Sequence, residues 1–292
     1  MDNFERIKKL VIIAMFSDDD LMDILVLKGG NAIDIIHNIA LRSSIDVDFS
    51  IENEFSKDEL EAIGQKIERT LKETFSPEGF EVFDVKFEEK PPVVTQDMAA
   101  FWGGYQVEFK IIENEKYSRL FQNKDALRKN ATVVSTRNKR TFRIDISKFE
   151  YCRSRQEQDL NGFTIYVYTP EMIVFEKIRA ICQQMPEYAQ VVNNPSQSAR
   201  ARDFFDIYTI LEHFKGIDFR TRGNADLLKN IFAAKRVPLN LIGKIKDYKE
   251  YHRPDFVSVK DTVQPSFDLR EFDYYFDYVV DRCRELEPLW KV

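Results

Sequence analysis

Hydrophobic residues recur at two different periods in this chain of 292 residues, and the change between them falls at Thr169-Pro170. Before that point apolar and polar residues alternate in several segments, most clearly at 45–51 and 105–112, as in strands with one buried face. Beyond it apolar residues return every three or four positions, as in helices. The pattern predicts an α+β protein, with a mixed β-sheet flanked by helices at 1–168 and a helical C-terminal domain at 169–292.

The same two patterns predict the remaining elements. Ser56 and Glu59 have the spacing of a capping box at the start of a helix, and Thr169 with Pro170 suits a helix N-terminus. The predicted strands are 24–28, 45–51, 80–87, 105–112, 141–149 and 163–168, and the predicted helices are 3–16, 31–40, the segment after 59, 170–185, 198–214, 224–234, 238–249 and 268–287.

Composition limits the class of protein. Hydrophobic residues make up 43% and charged residues 32%, which is enough for a sizeable core and argues against disorder. The net charge of −6 argues against a nucleic-acid-binding surface over the whole chain but allows a local basic patch. Three widely separated cysteines fit a reducing compartment. The apolar run 10–16 is too short for a signal peptide or a membrane span, so we expect a cytoplasmic protein.

Two aspartates define the candidate site. Asp46 and Asp48 are two residues apart on a predicted strand, so they share a face at roughly 7 Å along the chain. Carboxylates this close repel unless a cation lies between them, and oxygen ligands of this kind suit Mg²⁺. Asp145, in the middle of strand 141–149, could supply the third carboxylate of a two-metal centre. Taken alone, each aspartate more simply belongs to the solvent face of a sheet.

Two glycines precede these acids at the end of an apolar strand. Gly29 and Gly30 lack a Cβ, so backbone N–H groups there can approach a phosphate, and the N-terminus of the following helix favours an anion. Their position one helix length before Asp46 strengthens the interpretation as a metal-assisted phosphoryl-transfer site.

The motifs together resemble a known family. Residues 28–49 contain KGGNA and RSSIDVDF, which are similar to the KGGT-A and R-x-S-x-D-x-D-F pattern of the AbiEii/AbiGii toxin family within the polymerase-beta-like nucleotidyltransferases. Residues 176–180 (EKIRA) and 202–208 (RDFFDIY) resemble two downstream segments of that family. Asn31 departs from the family pattern, which usually has Thr or Ser there, and the spacing from Gly30 to Asp46 is longer than in minimal members of the superfamily.

The resemblance implies a nucleotidyltransferase fold and Mg²⁺-dependent transfer of a nucleotide from an NTP to an acceptor. In the family the acceptor can be the tRNA 3′ end, and the enzyme can be the toxin of a type IV toxin-antitoxin or abortive-infection system with a separate antitoxin.

The resemblance also implies residue roles. The metal ligands would be Asp46, Asp48 and Asp145. The catalytic residues would be these three together with Lys177 and Asp203. The nucleotide would be bound by Lys28, Gly29, Gly30, Asn31, Arg42, Lys177 and Asp206. From the residues alone, Lys177 is more simply a solvated helix lysine. Asp206 could pair with Arg202 on a helix surface, and Arg42 could cap a helix C-terminus.

A basic segment bears on the acceptor. Residues 124–143 contain seven Lys or Arg and one Asp, in contrast with the acidic whole, and could bind RNA phosphates or form a solvated face. Two other hypotheses remain open at this point: a nucleotidyltransferase that acts on a small molecule, and a non-catalytic binding module that retains the fold.

Overall fold

The computed structural model describes residues 3–37, 39, 46–134, 138–192, 197–264 and 267–291. The chain forms two compact units, the first containing Met1–Ala32 and Ser44–Val167, and the second containing Ile33–Ser43 and Tyr168–Val292. The division into an α/β domain at 1–168 and a helical C-terminal domain at 169–292 stays a prediction.

The first unit contains a mixed sheet, as predicted. Its strands are β1 (Val26–Lys28), β2 (Val47–Ser50), β3 (Phe80–Lys90), β4 (Gly104–Glu113), β5 (Phe142–Ser147), β6 (Gln156–Leu160) and β7 (Phe163–Val167), and its helices are α1 (Asn3–Phe16), α2 (Asp19–Ile24), α3 (Gly29–Asn31), α4 (Leu60–Phe75), α5 (Asn114–Leu120) and α6 (Lys124–Asn130). The strand order is β3-β4-β5-β2-β1-β7-β6. β2 pairs with β5, and β1 with β7, in parallel; the other neighbours are antiparallel.

One face of the sheet is apolar, because every second residue of its central strands has an apolar side chain. Rings from α1 and α4 pack against this face: Phe16 meets Phe49 at 5.8 Å between centroids, and Phe75 meets Phe109 at 6.1 Å. Phe109 in turn stacks on Phe142 of the neighbouring strand at 5.3 Å. With the two helices on one side, the residues at alternate positions are left to form a polar second face.

Two predicted details are wrong, and one strand was not predicted. Ser56 makes no capping hydrogen bond with its side chain, because a 3-10 turn (Lys57–Glu59) lies between it and α4. β1 is shorter than predicted because α2 continues to Ile24. β6 has the sequence QEQDL, which is polar on both faces as an edge strand can be, so the hydrophobic pattern gives no signal for it.

The second unit is helical, as predicted. Its helices are α7 (Pro170–Cys182), α8 (Ala201–His213), α9 (Arg222–Ala234), α10 (Lys249–His252), α11 (Val257–Lys260) and α12 (Phe272–Arg284), with 3-10 segments at Pro186–Gln190, Leu239–Tyr248, Arg253–Phe256 and Glu287–Leu289; a π-helical turn, Ala32–Ile36, follows α3. Thr169 caps α7 by accepting a hydrogen bond from the Met172 N–H at 3.3 Å. Phe204 of α8 stacks on Phe276 of α12 at 5.0 Å in the core of this unit. None of the described helices combines the length and the apolar character that crossing a bilayer requires.

Candidate active site

Four polar residues form a row across the second face of the sheet, which we call the carboxylate row: Lys28, Asp48, Asp145 and Gln106. Asp48 of β2 lies directly opposite Asp145 of β5, and its other neighbour in register is Lys28 of β1. Gln106 of β4 lies opposite Asp145 on the far side. Residues paired in register project to the same face, and adjacent strands are about 5 Å apart. The sheet therefore brings together two aspartates that are 97 positions apart in the sequence.

Asp46 lies one residue before β2 rather than on the strand, and it is exposed. Desolvation by the surrounding protein raises the pKa of the Asp46 carboxyl, and the charge of Asp145 raises it further, while Arg143 and Lys139 act in the opposite direction. The neighbouring charges thus place Asp46 within electrostatic reach of both Asp145 and two basic residues of segment 124–143.

Asn31 is fully buried. Its side-chain amide donates a hydrogen bond to the main-chain carbonyl of Asp46 at 2.6 Å. The Oδ1 of Asn31 is buried and has no hydrogen-bond partner within the described part of the chain. This hydrogen bond connects the helical turn after β1 to the main chain of Asp46.

Gly29 fits against Asp48. It adopts a left-handed φ of +70°, and a Cβ at this position would come within 2.7 Å of Asp48 Oδ2. A side chain would therefore be strained by the backbone and would also displace the carboxylate. Gly30 follows it in α3 and is half-buried.

Lys28 is buried, and its ammonium donates to Ser147 Oγ at 3.0 Å and lies 3.8 Å from Glu150. Gln106 donates from Nε2 to Asp145 Oδ1 at 2.8 Å. Ser147, Glu150 and Gln106 were not among the predicted site residues. Only Gln106 had a usable signal, since it belongs to the polar positions of the alternating strand β4.

The row fits Mg²⁺ by the chemistry of its donors. Magnesium is held by one or two carboxylates, with substrate phosphate and water completing its octahedron. Asp48 and Asp145 of the row supply such carboxylates, together with Asp46 beside it. Desolvation and then the charge of Asp145 raise the pKa of Asp46, and a bound cation would relieve that repulsion. Within the described ranges, no three His, Cys, Asp or Glu side chains are close enough to bind a metal ion by themselves. A metal ion whose remaining ligands come from the substrate and water does not need such a group.

Segment 124–143 is partly neutralised. Arg128 pairs with Asp84 at 2.6 Å, and Arg143 pairs with Glu108 at 2.9 Å. Arg140 donates to the main-chain carbonyl of Ala131. The segment therefore presents less uncompensated charge than its sequence suggests. Arg42, a predicted nucleotide-binding residue, lies outside the described residues.

Lys177, Asp203 and Asp206 come together inside the second unit. The Lys177 ammonium lies 2.8 Å from Asp203 Oδ1 and 2.7 Å from Asp206 Oδ2, and the three residues are only 5–8% exposed. Lys177 is thus not a solvated lysine. The alternative pair of Asp206 with Arg202 is also excluded, because Arg202 donates to Ser258 Oγ at 2.8 Å.

His252 borders this ion cluster, although no sequence motif singles it out. It is fully buried, and its Nδ1 accepts a hydrogen bond from the Arg200 N–H at 3.0 Å. Burial lowers the pKa of His252 to about 4; the charge of Asp203 opposes this shift and that of Arg200 adds to it. The ring is therefore neutral at physiological pH.

The fold defines the class of protein. The chain is similar to a candidate nucleotidyltransferase from H. pylori, with a TM-score of 0.51 and 13% identity, covering 99% of this chain and 95% of that one. It is equally similar to JHP933 from Helicobacter pylori, with a TM-score of 0.51 and 14% identity, covering 99% and 92%. At such low identity the likeness establishes the fold alone, and that fold is nucleotidyltransferase-like, as predicted.

The family follows from the sequence. Residues 11–278 match the family "Nucleotidyl transferase AbiEii toxin, Type IV TA system". Because the match spans most of the chain, the protein belongs to the AbiEii family and is a nucleotidyltransferase, which confirms the resemblance drawn from the motifs. No curated protein matches the chain significantly.

Proposed function

We propose that the protein transfers a nucleotide from an NTP to an RNA acceptor, the tRNA 3′ end, as the toxin of a type IV system that a cognate antitoxin neutralises. The observation that carries the proposal is the register of Asp48 with Asp145, which puts two carboxylates side by side on the polar face. Membership of the AbiEii family supports the nucleotide substrate and the antitoxin partner.

In the proposed reaction a hydroxyl oxygen of the acceptor attacks the α-phosphorus of the NTP. A new oxygen–phosphorus bond forms, the bond to the bridging oxygen of the β-phosphate breaks, and pyrophosphate leaves. Asp145 accepts the proton of the attacking hydroxyl. Positioning and charge stabilisation supply most of the catalysis in such transfers.

Asp46, Asp48 and Asp145 would hold Mg²⁺, which offsets negative charge on the phosphates when bound. Gly29 and Gly30 offer backbone N–H groups to the phosphates, because the absence of a Cβ permits close approach.

Lys28 keeps a positive charge at one end of the carboxylate row through its contacts with Ser147 and Glu150. In the second unit, the roles of Lys177, Asp203 and Asp206 towards the nucleotide stay a prediction.

An RNA acceptor is supported by charge near the site. Lys139 and Arg143 both act on the pKa of Asp46, so at least part of segment 124–143 lies close to the carboxylates. A polyanion approaching Asp145 would meet these cations, which also draw it from solution.

The test is incubation of the protein with Mg²⁺ and each α-labelled NTP in turn, with and without tRNA. We expect label to enter tRNA with one or more NTPs, and not with Asp48→Asn, Asp145→Asn or an excess of chelator. Asp58→Asn, an exposed carboxylate in the 3-10 turn before α4, is the matched control and should retain full transfer.

Two outcomes would contradict the proposal in different ways. If label enters a small molecule but no RNA, the proposed RNA acceptor is wrong and a metabolite or antibiotic is favoured as the acceptor. Wild-type protein that neither binds nor transfers any Mg²⁺-NTP would remove the catalytic assignment of the three aspartates.

A further inference from the structure

A cleft of about 410 Å³ opens in the first unit and is lined by Lys86, Lys110, Arg128, Asp84, Glu108 and Thr141. We call it the cation cleft. It lies on the same face of the sheet as the carboxylate row, because Gln106, Glu108 and Lys110 occupy every second position of β4 and therefore project to the same side. Glu108 is in register with Arg143 of β5, which is two residues from Asp145. The cleft therefore begins one row, roughly 7 Å, from Asp145.

The cleft has an excess of positive charge. Lys86, Lys110 and Arg128 line it with two carboxylates, and Arg143 stands at its edge in an ion pair with Glu108. Arg128 and Arg143 are about half exposed, so both guanidinium groups are accessible from solvent.

The carboxylate of Asp84 is bound by two cations of the cleft, Arg128 and Lys110. Arg128 donates from Nε to Asp84 Oδ2 at 2.6 Å and from Nη2 to Oδ1 at 3.1 Å, while Lys110 lies 3.4 Å from Oδ2. This two-pronged contact is the one that an arginine makes with a phosphate. The hydrogen bonds from Arg128, more than any other interaction, hold the pKa of Asp84 below its ordinary value, so this carboxylate is an anion at neutral pH.

The backbone gives Asp84 this place. The register between β3 and β4 shifts between Phe83 and Lys86, so an irregularity interrupts the pairing there, and Asp84 has a left-handed φ of 52°. Bulges of this kind re-aim a side chain, and Asp and Asn are the non-glycine residues that tolerate this conformation best.

We propose that the cation cleft binds a backbone phosphate of the acceptor strand, which takes over the contacts that Asp84 makes with Arg128 and Lys110. The inference rests on the proposed function, since it assigns the RNA a path to Asp145. Asp84 keeps the two cations ordered when no acceptor is bound and lowers the affinity for phosphate by competing for them.

The test compares three variants with the wild type by measuring binding of bulk tRNA over a range of salt concentrations, without nucleotide or Mg²⁺. Arg128→Ala removes a phosphate contact, so the affinity should fall and the magnitude of the salt slope should drop by about 1. Asp84→Asn keeps the size and tolerates the same backbone conformation but removes the competing charge, so the affinity should rise. Lys72→Ala, on α4 at the opposite face, is the matched control and should change neither quantity.

Unchanged tRNA affinity and salt slope in both Arg128→Ala and Asp84→Asn would overturn the cleft proposal, even if the wild type transfers nucleotide to RNA. Conversely, tRNA binding that responds to both variants as expected supports the cleft even if no label is transferred, and the proposed function alone would then fail. Thermal unfolding of each variant confirms that the folded protein is being compared.

Discussion

The side-chain amide of Asn31 is hydrogen bonded to the main-chain carbonyl of Asp46 at 2.6 Å. The residue that stands in place of the Thr or Ser of the family motif thus acts on the protein backbone, and it does so from a fully buried position. We expect Asn31→Ala to lower the stability by about 0.5–1.5 kcal/mol, the net contribution of one hydrogen bond, and to lower kcat through displacement of Asp46. A phosphate-binding residue would instead raise KM for the NTP, so the split between kcat and KM distinguishes the two roles.

Gln106 should matter through Asp145. Gln106→Leu keeps the approximate size but removes the donor to Asp145 Oδ1, and we expect transfer to fall about tenfold, corresponding to one lost hydrogen bond of about 1.4 kcal/mol. Gln106→Glu, which adds a like charge beside the carboxylate, should be worse. Initial rates at saturating NTP measure the effect. Gln65→Leu on α4 provides the control, and equal activity of all three variants would remove Gln106 from the site.

Gly29 can be separated from an ordinary left-handed glycine. Gly29→Ala introduces backbone strain of about 1–2 kcal/mol, and its Cβ would also contact Asp48 Oδ2. Gly79 has a left-handed φ of +89° as well, but the Cβ added by Gly79→Ala would have no atom within 4 Å. Both variants should lose similar stability in urea unfolding, but only Gly29→Ala should lose transfer activity beyond that loss. If the two retain the same activity per folded molecule, the contact with Asp48 has no catalytic role.

The Lys177 cluster should dominate the stability of the second unit. Lys177→Met removes the cation that lies between Asp203 and Asp206 and leaves Asp203 with Arg200 at 3.5 Å. Breaking a buried ion pair in this way costs about 3–5 kcal/mol. Asp203→Asn leaves Lys177 paired with Asp206 and should cost less. Urea unfolding monitored by circular dichroism ranks the two. Nucleotide binding by folded Asp203→Asn then tests the predicted role towards the substrate, which a loss of binding without a loss of fold would support.

His252 predicts a loss of stability in acid. Because burial holds its pKa at about 4 against an ordinary value of 6.5, the unfolded chain takes up a proton that the folded chain refuses. Its contribution is fully present above pH 6.5 and is lost as the pH falls towards 4, by about 3 kcal/mol at most. His252→Asn can still accept the bond from Arg200 and should flatten this part of the curve. An unchanged pH dependence of unfolding in folded His252→Asn would contradict this assignment.

The alternation of residues 45–51 and 105–112 was enough to predict the sheet, and the change of period near Thr169 was enough to predict the helical unit. The three aspartates were selected because spacing and motif agree on them, and their catalytic role stays a prediction. Local pattern could not supply register: nothing in the sequence near Asp145 specifies that it pairs with Asp48, or that Gln106 lies on its other side.

Side-chain partners were beyond reach for the same reason. Lys177 has the helical spacing of a surface lysine, and only packing reveals that it is buried between two aspartates. Segment 124–143 reads as strongly basic, although Arg128 and Arg143 have acidic partners on β3 and β4. Charge counted along a sequence does not reveal how much of it is already compensated.

The parallel pairing of β2 with β5 has a consequence for biosynthesis. The strand of Asp48 can pair with β1 early, but it gains its second partner, β5, only after the β3–β4 hairpin and α6 have been translated, since all of them precede β5 in the chain. Long-range parallel pairing is among the slower steps of folding. A growing polypeptide that ends before Phe142 carries the glycines, Asp46 and Asp48 but not Asp145, so the carboxylate row can assemble only after most of the first unit has emerged from the ribosome.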